Sequence, residues 1–179
     1  EDAFAGVLRD SLTDAGVRLD TVLVAPTSTG TAGILVDGHG QNSIVAVPGA
    51  NDHVTAADVQ EAFAREMPDV VLTQLEVPIE AVIETGRQAR SIERLGILNP
   101  APAKELTEEV IGLFDWITPN ETECEAICGV RPVDTISCSR ACQALRERGA
   151  TNVVLTLGEA GCFVSIKHGE EAVVPARQV

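Results

Sequence analysis

At 179 residues and 45% apolar content, the chain is long enough to bury one core. Its 13 basic and 27 acidic residues leave a net charge of −14, which sets it against nucleic acid and anionic lipid as partners. Neither an apolar run approaching ~18 residues nor a charged-then-apolar leader is visible, so no membrane association is expected.

Taken in order, residues 4 to 15 repeat Phe4, Val7, Leu8, Leu12 and Ala15 at helical spacing, and Gly16 closes the helix. The texture then changes. Asp20 to Ala25, Thr31 to Asp37 and Asn42 to Val47 read as short strands, with Asp37-Gly38-His39-Gly40 as a turn. Strands with no helix between them predict a small antiparallel sheet over residues 20–50, distinct from the helix in 1–19 and from residues 51–179.

From Thr55 helices and strands alternate. Thr55-Ala56-Ala57-Asp58 opens a helix with a capping-box pattern and the helix ends before Pro68. Strand Val70 to Leu72, a helix started by Pro78 and running through Val82, Ile83 and Ala89, strand Gly96 to Leu98, helix Lys104 to Leu113 and strand Trp116-Ile117 follow. Helices Thr122 to Cys128 and Ser139 to Arg148, strand Asn152 to Leu157, and a hairpin of Cys162 to Lys167 with Glu171 to Pro175 complete the pattern. Repeated strand-helix units predict an α/β fold, a mostly parallel sheet with helices on both faces.

The stretch Thr118-Pro119-Asn120-Glu121-Thr122-Glu123 stands where a buried strand ends and a helix begins, the place where open α/β sheets bind ligands. Pro119 breaks the strand, Asn120 is placed as N-cap, and Glu123 falls on the same face of the first turn. Free N–H groups favour an anion there, and a carboxylate facing that anion makes sense with a hydrated divalent cation between them. An ordinary helix start, with Asn as cap and Glu as dipole partner, explains the same spacing.

Leu98-Asn99-Pro100-Ala101-Pro102 has the equivalent position one unit earlier, and Gln74-Leu75-Glu76 one before that. Thr156-Leu157-Gly158-Glu159-Ala160-Gly161 offers glycines and a hydroxyl, although any tight strand-to-strand turn also calls for glycine. The five cysteines, an odd number in an apolar-rich chain, read as reduced thiols and point to the cytoplasm. Cys124 and Cys128 are four apart, as are Cys138 and Cys142, a spacing compatible with facing zinc pairs or with buried small hydrophobes.

These motifs, with Pro48-Gly49-Ala50-Asn51, resemble in order and spacing the ribokinase branch of the PfkB family of carbohydrate kinases. The resemblance implies a ribokinase-like fold in which residues 20–50 form a lid over the sugar and a dimer contact, with residues 51–179 an incomplete nucleotide-binding domain. It also implies transfer of the ATP γ-phosphate to D-ribose. Glu76 would contact the sugar; Asn120 and Thr156, Leu157, Gly158, Glu159, Ala160 and Gly161 the ATP; and Glu123 magnesium through water. Potassium activation and a homodimer are implied too. The family's N-terminal glycine-rich sugar segment is not matched, nor is its Gly-Ala-Gly-Asp segment with the catalytic aspartate, expected beyond Val179. The resemblance therefore implies a piece of a longer kinase, poorly active alone; a kinase for another sugar or nucleoside, or a non-catalytic binding module, are the other readings.

Overall fold

The computed structural model describes residues 2–39 and 42–177. Helix α1 (Ala3–Asp14) starts on Asp2, whose carboxylate accepts the Ala5 N–H at 2.9 Å. The same carboxylate accepts the N–H of Thr29 at 2.7 Å and its hydroxyl at 3.0 Å, which ties the helix to the following segment. These donors, Thr29 first, hold the Asp2 carboxyl below the usual carboxylate range. Gly16 adopts φ +77° just past the helix, as a closing glycine should.

Strands β1 (Thr31–Val36) and β2 (Asn42–Val47) pair antiparallel with Ile34 opposite Ile44. The expected third strand, Asp20 to Ala25, is not formed. Its apolar residues Val22, Leu23 and Val24 are exposed and no neighbouring ladder takes up its backbone, so composition suited to a strand yields irregular chain. Gly40, within the expected turn, lies outside the described residues.

The main sheet has strands β3 (Val70–Thr73), β4 (Leu95–Leu98), β5 (Trp116–Ile117) and β6 (Asn152–Thr156), all parallel and adjacent in chain order. Strands β7 (Cys162–Ser165) and β8 (Glu171–Val174) extend it antiparallel as the expected hairpin. Helix α2 (Ala56–Arg65) precedes β3, and α3 (Ile79–Ser91), α4 (Glu108–Gly112), α5 (Glu121–Cys128) and α6 (Thr135–Glu147) connect the parallel strands. Right-handed crossovers in an unbroken strand order place their helices on a single face. Burial agrees: Leu98, Ile117, Val153, Leu155 and Phe163 are buried on that face, while Leu72 on the other is 69% exposed. The expected helical cover is therefore present on one face among the described residues.

The core lies between that face and the helices, joining Val82 of α3, Val110 and Ile111 of α4, Ile127 of α5 and Leu145 of α6 to the sheet. Gly86 lets α3 approach closely, since a Cβ there would stand 2.7 Å from Leu113 Cβ. Two helix starts differ from expectation. Helix α4 begins at Glu108 rather than Lys104, because Thr107 caps it by accepting from Val110 N–H. Helix α6 begins at Thr135 rather than Ser139, because Asp134 and Ser137 form a reciprocal capping box.

Candidate functional site

Each of the four parallel strands runs out at the same edge into one of the singled-out segments. Adjacent exits are stitched by main-chain hydrogen bonds: Asn99 N–H to Thr73 O at 2.9 Å, Leu75 N–H to Ala101 O at 2.8 Å, and Thr118 N–H to Leu98 O at 2.9 Å. Thr156 N–H then donates to Pro119 O at 3.0 Å, and Asn120 and Thr156 form an isolated parallel bridge. The sheet thus brings Glu76, Asn99, Asn120, Glu123 and the 156–161 turn to one carboxyl-end edge, where ligands of open α/β sheets bind.

Asn120 is the N-cap of α5 and Glu123 its third residue, and they satisfy one another. The Asn120 N–H and Nδ2 each donate to a Glu123 carboxylate oxygen at 2.9 Å, and the Glu123 N–H donates to Asn120 Oδ1 at 2.8 Å. The capping reading of this spacing is therefore realised. Glu123 is nonetheless unusual for a cap, being only 6% exposed and, among the described residues, paired with no lysine or arginine. A buried carboxylate without a protein cation fits a hydrated divalent ion near the helix start, because its oxygens keep lone pairs for that ion's water.

After β6, Gly158–Ala160 form a short 3-10 turn closed by Leu157 N–H to Gly161 O at 2.9 Å. The N–H groups of Gly158 and Glu159 open that turn and are not used by it. Gly161 has a structural reason to be glycine: at φ +96°, a Cβ would fall 2.1 Å from Val174 O. Gly158, at φ +53°, has open space around it instead. Thr156, Glu159 and Ala160 are exposed at the edge.

Glu76 is exposed beyond β3, and its N–H donates to the Gln74 side-chain carbonyl. Lys104, outside the expected site residues, donates its Nζ to Leu75 O at 2.8 Å and braces the strand exit carrying Glu76. Its position two residues past Pro102 was the available signal.

The cysteines divide. Cys124, Cys138 and Cys142 are buried in the packing of α5 and α6, with Cys128 beside them, while Cys162 stands apart opposite Thr156. Burial pushes the Cys142 thiol up to about 12. Among the described residues no group of three or more His, Cys, Asp or Glu is placed to hold a metal.

A mostly parallel sheet whose carboxyl-end edge carries these turns, with a separate two-stranded antiparallel sheet, defines an α/β protein of ribokinase-like fold. The chain belongs to the pfkB family of carbohydrate kinases, whose model matches residues 1–179. It is 35% identical over 168 residues to the ribokinase of Haemophilus influenzae, covering 93% of this chain and 55% of that protein. It is 36% identical over 187 residues to the deoxyribokinase of Salmonella typhi, covering all of this chain and 59% of that protein. The solved structure of Arabidopsis thaliana ribokinase complexed with ribose and ATP superposes with a TM-score of 0.85 at 26% identity, covering 99% of this chain and 58% of the other. The chain spans 30% to 59% of the length of the curated relatives it matches. No helix among the described residues is long and apolar enough to cross a membrane.

Proposed function

We propose that this chain is the nucleotide-binding part, with some of the sugar site, of a kinase that transfers the ATP γ-phosphate to D-ribose to give ribose 5-phosphate. The observation that carries the reading is the single sheet edge at which Glu76, Asn120, Glu123 and the Thr156–Gly161 turn meet. Support comes from the ribokinase of Haemophilus influenzae and from the Arabidopsis thaliana enzyme's complex with ribose and ATP.

Phosphoryl transfer is mostly positioning and charge neutralisation. The start of α5 offers a positive helix end to a phosphate, and Asn120 fixes that end by capping it. The N–H groups of Gly158 and Glu159, not bonded among the described residues, and the Thr156 hydroxyl supply donors for the nucleotide. Glu123 orients water around magnesium, which when bound neutralises charge on the phosphates. Glu76 accepts sugar hydroxyls through its two oxygens.

The acceptor of the ribose hydroxyl proton is, in this reading, an aspartate outside residues 1–179, so these residues alone turn over poorly. A potassium-activated, cytoplasmic homodimer joined through the β1–β2 sheet belongs to the same reading. The exposed Ile34, Leu35, Ile44 and Val45 support the dimer contact.

The likeness to a deoxyribokinase favours 2-deoxyribose as the second candidate. ADP release with ribose, 2-deoxyribose and a nucleoside, on the longest natural polypeptide containing this chain, decides between them. Highest kcat/KM with ribose supports the proposal; a preference for either other substrate replaces it.

A further inference from the structure

The β1–β2 sheet is not held in place by packing. Every residue of β1 is exposed, as are residues 43–47 of β2, so these side chains do not anchor the sheet to the body. Its orientation is set where it leaves the body, at a crossing of two short segments. Ala50 N–H donates to Ser28 O at 2.9 Å, a Cβ on Gly30 would stand 2.5 Å from Pro48 O, and one on Gly49, at φ +56°, 2.5 Å from Ser28 O. Backbone therefore lies on backbone at this neck, next to the pair of Thr31 and Val47 that begins the ladder.

A carboxylate joins the neck to the helix before it. Asp2 Oδ1 accepts the Ala5 N–H at 2.9 Å, which caps α1, and the Thr29 hydroxyl at 3.0 Å, while Oδ2 accepts the Thr29 N–H at 2.7 Å. We propose that Asp2 is a positioning residue for the sugar: through Thr29 it fixes the neck, and with it the angle of the β1–β2 lid over the bound substrate. This rests on the proposed kinase, with residues 20–50 as its lid.

Capping α1 uses Oδ1, whereas Oδ2 is directed at Thr29, 27 residues further along the chain. A cap needs one acceptor, so the second oxygen serves the neck. Both bonds to Thr29 are charge-assisted and lie between half-buried residues, which makes them stronger than neutral surface contacts. Thr29 is followed directly by Gly30, whose close contact with Pro48 O carries the restraint from one segment of the neck to the other. Helix α1 buries no residue, so this polar tie rather than a packed face relates it to the lid.

The two roles of Asp2 are separated by Asp2→Asn. Asparagine caps a helix as well as aspartate does, but its amide nitrogen cannot accept the Thr29 N–H. In the longest natural polypeptide containing this chain, Asp2→Asn is expected to raise the KM for ribose about tenfold, the loss of one charge-assisted hydrogen bond, with the KM for ATP unchanged. Thr29→Val, which leaves the cap intact, should move the same way, and Thr29→Ser, which keeps both donors, should match the wild type. Hydrogen exchange at the Thr29 and Ala50 amides gives a readout independent of substrate and should be faster in Asp2→Asn. An unchanged KM for ribose in Asp2→Asn, or KM values for ribose and ATP that rise together, would overturn the proposal. A wild type inactive on every sugar overturns the kinase reading and the sugar role with it, while faster exchange at the neck in Asp2→Asn still upholds the anchor; unchanged exchange overturns the anchor itself.

Discussion

Asn120 and Glu123 close on one another through three hydrogen bonds of 2.8 to 2.9 Å, so the cap of α5 and the acidic group at the carboxyl-end edge of the sheet are one unit. Asn120→Ala removes the acceptor of the Glu123 N–H and one donor to a buried carboxylate. Losing a cap and leaving a buried acceptor short of a partner costs about 2 kcal/mol together. Urea unfolding of the variant checks this; an unchanged midpoint would show that the box is not holding the helix start.

Gly161 couples the 156–161 turn to β8. Any β-carbon there meets Val174 O at 2.1 Å in a backbone conformation, φ +96°, that side chains avoid. Gly161→Ala is expected to destabilise by about 2 kcal/mol or more, whereas Gly158→Ala, with open space around it, carries only the strain of its positive φ. Equal midpoints for the two variants in chemical denaturation would contradict that ranking.

Asp134 caps α6, and its hydrogen bonds from Ser137 hold its carboxyl below the ordinary value. A depressed folded pKa means stability that is present above the unfolded value, near ~3.9, and lost as pH falls through the folded one. Asp134→Ala should therefore lower the melting temperature at pH 7, and the gap to wild type should narrow as the pH drops below about 4. A gap that stays constant down to acid unfolding would rule out ionisation as the source of the cap's strength.

The β1–β2 sheet exposes Ile34 at 63% and Ile44 at 59%, directly opposite each other. If this face joins two subunits, Ile34→Glu should shift the sedimenting species from dimer to monomer at micromolar protein. A wild type that sediments as a monomer at every concentration would remove the lid contact from the account.

The legible part of the fold was the part with local causes. Thr55 with Asp58 formed the expected capping box, and Asn120 formed the expected cap, with Glu123 closing a reciprocal bond beyond its expected role as dipole partner. The start of α6 has the same kind of cause in Asp134 and Ser137, but Ser in place of Glu or Gln at the third position makes that box harder to see in the sequence. Residues 20–25 show the limit from the other side: their composition suits a strand, yet a strand exists only with a ladder partner, which no local pattern supplies. The one-sided cover of the sheet likewise follows from strand order, visible only once β3, β4, β5 and β6 are seen side by side. At the carboxyl-end edge, spacing located Asn120 and Glu123 but could not reveal that Glu123 would be buried without a cation among the described residues. Nor did it separate Gly161, required by Val174, from Gly158, which faces open space.

In the proposed function this sheet edge binds magnesium with ATP, with Glu123 on the metal side. Calorimetric titration of ATP into wild type and Glu123→Gln, each with and without magnesium, tests it most directly. Trp116, the only tryptophan and two residues before Thr118, gives a parallel fluorescence signal. Expected are magnesium-dependent binding in the wild type, a change in Trp116 emission, and loss of most of the magnesium dependence in Glu123→Gln. Binding of equal strength in both proteins, indifferent to magnesium, would contradict it.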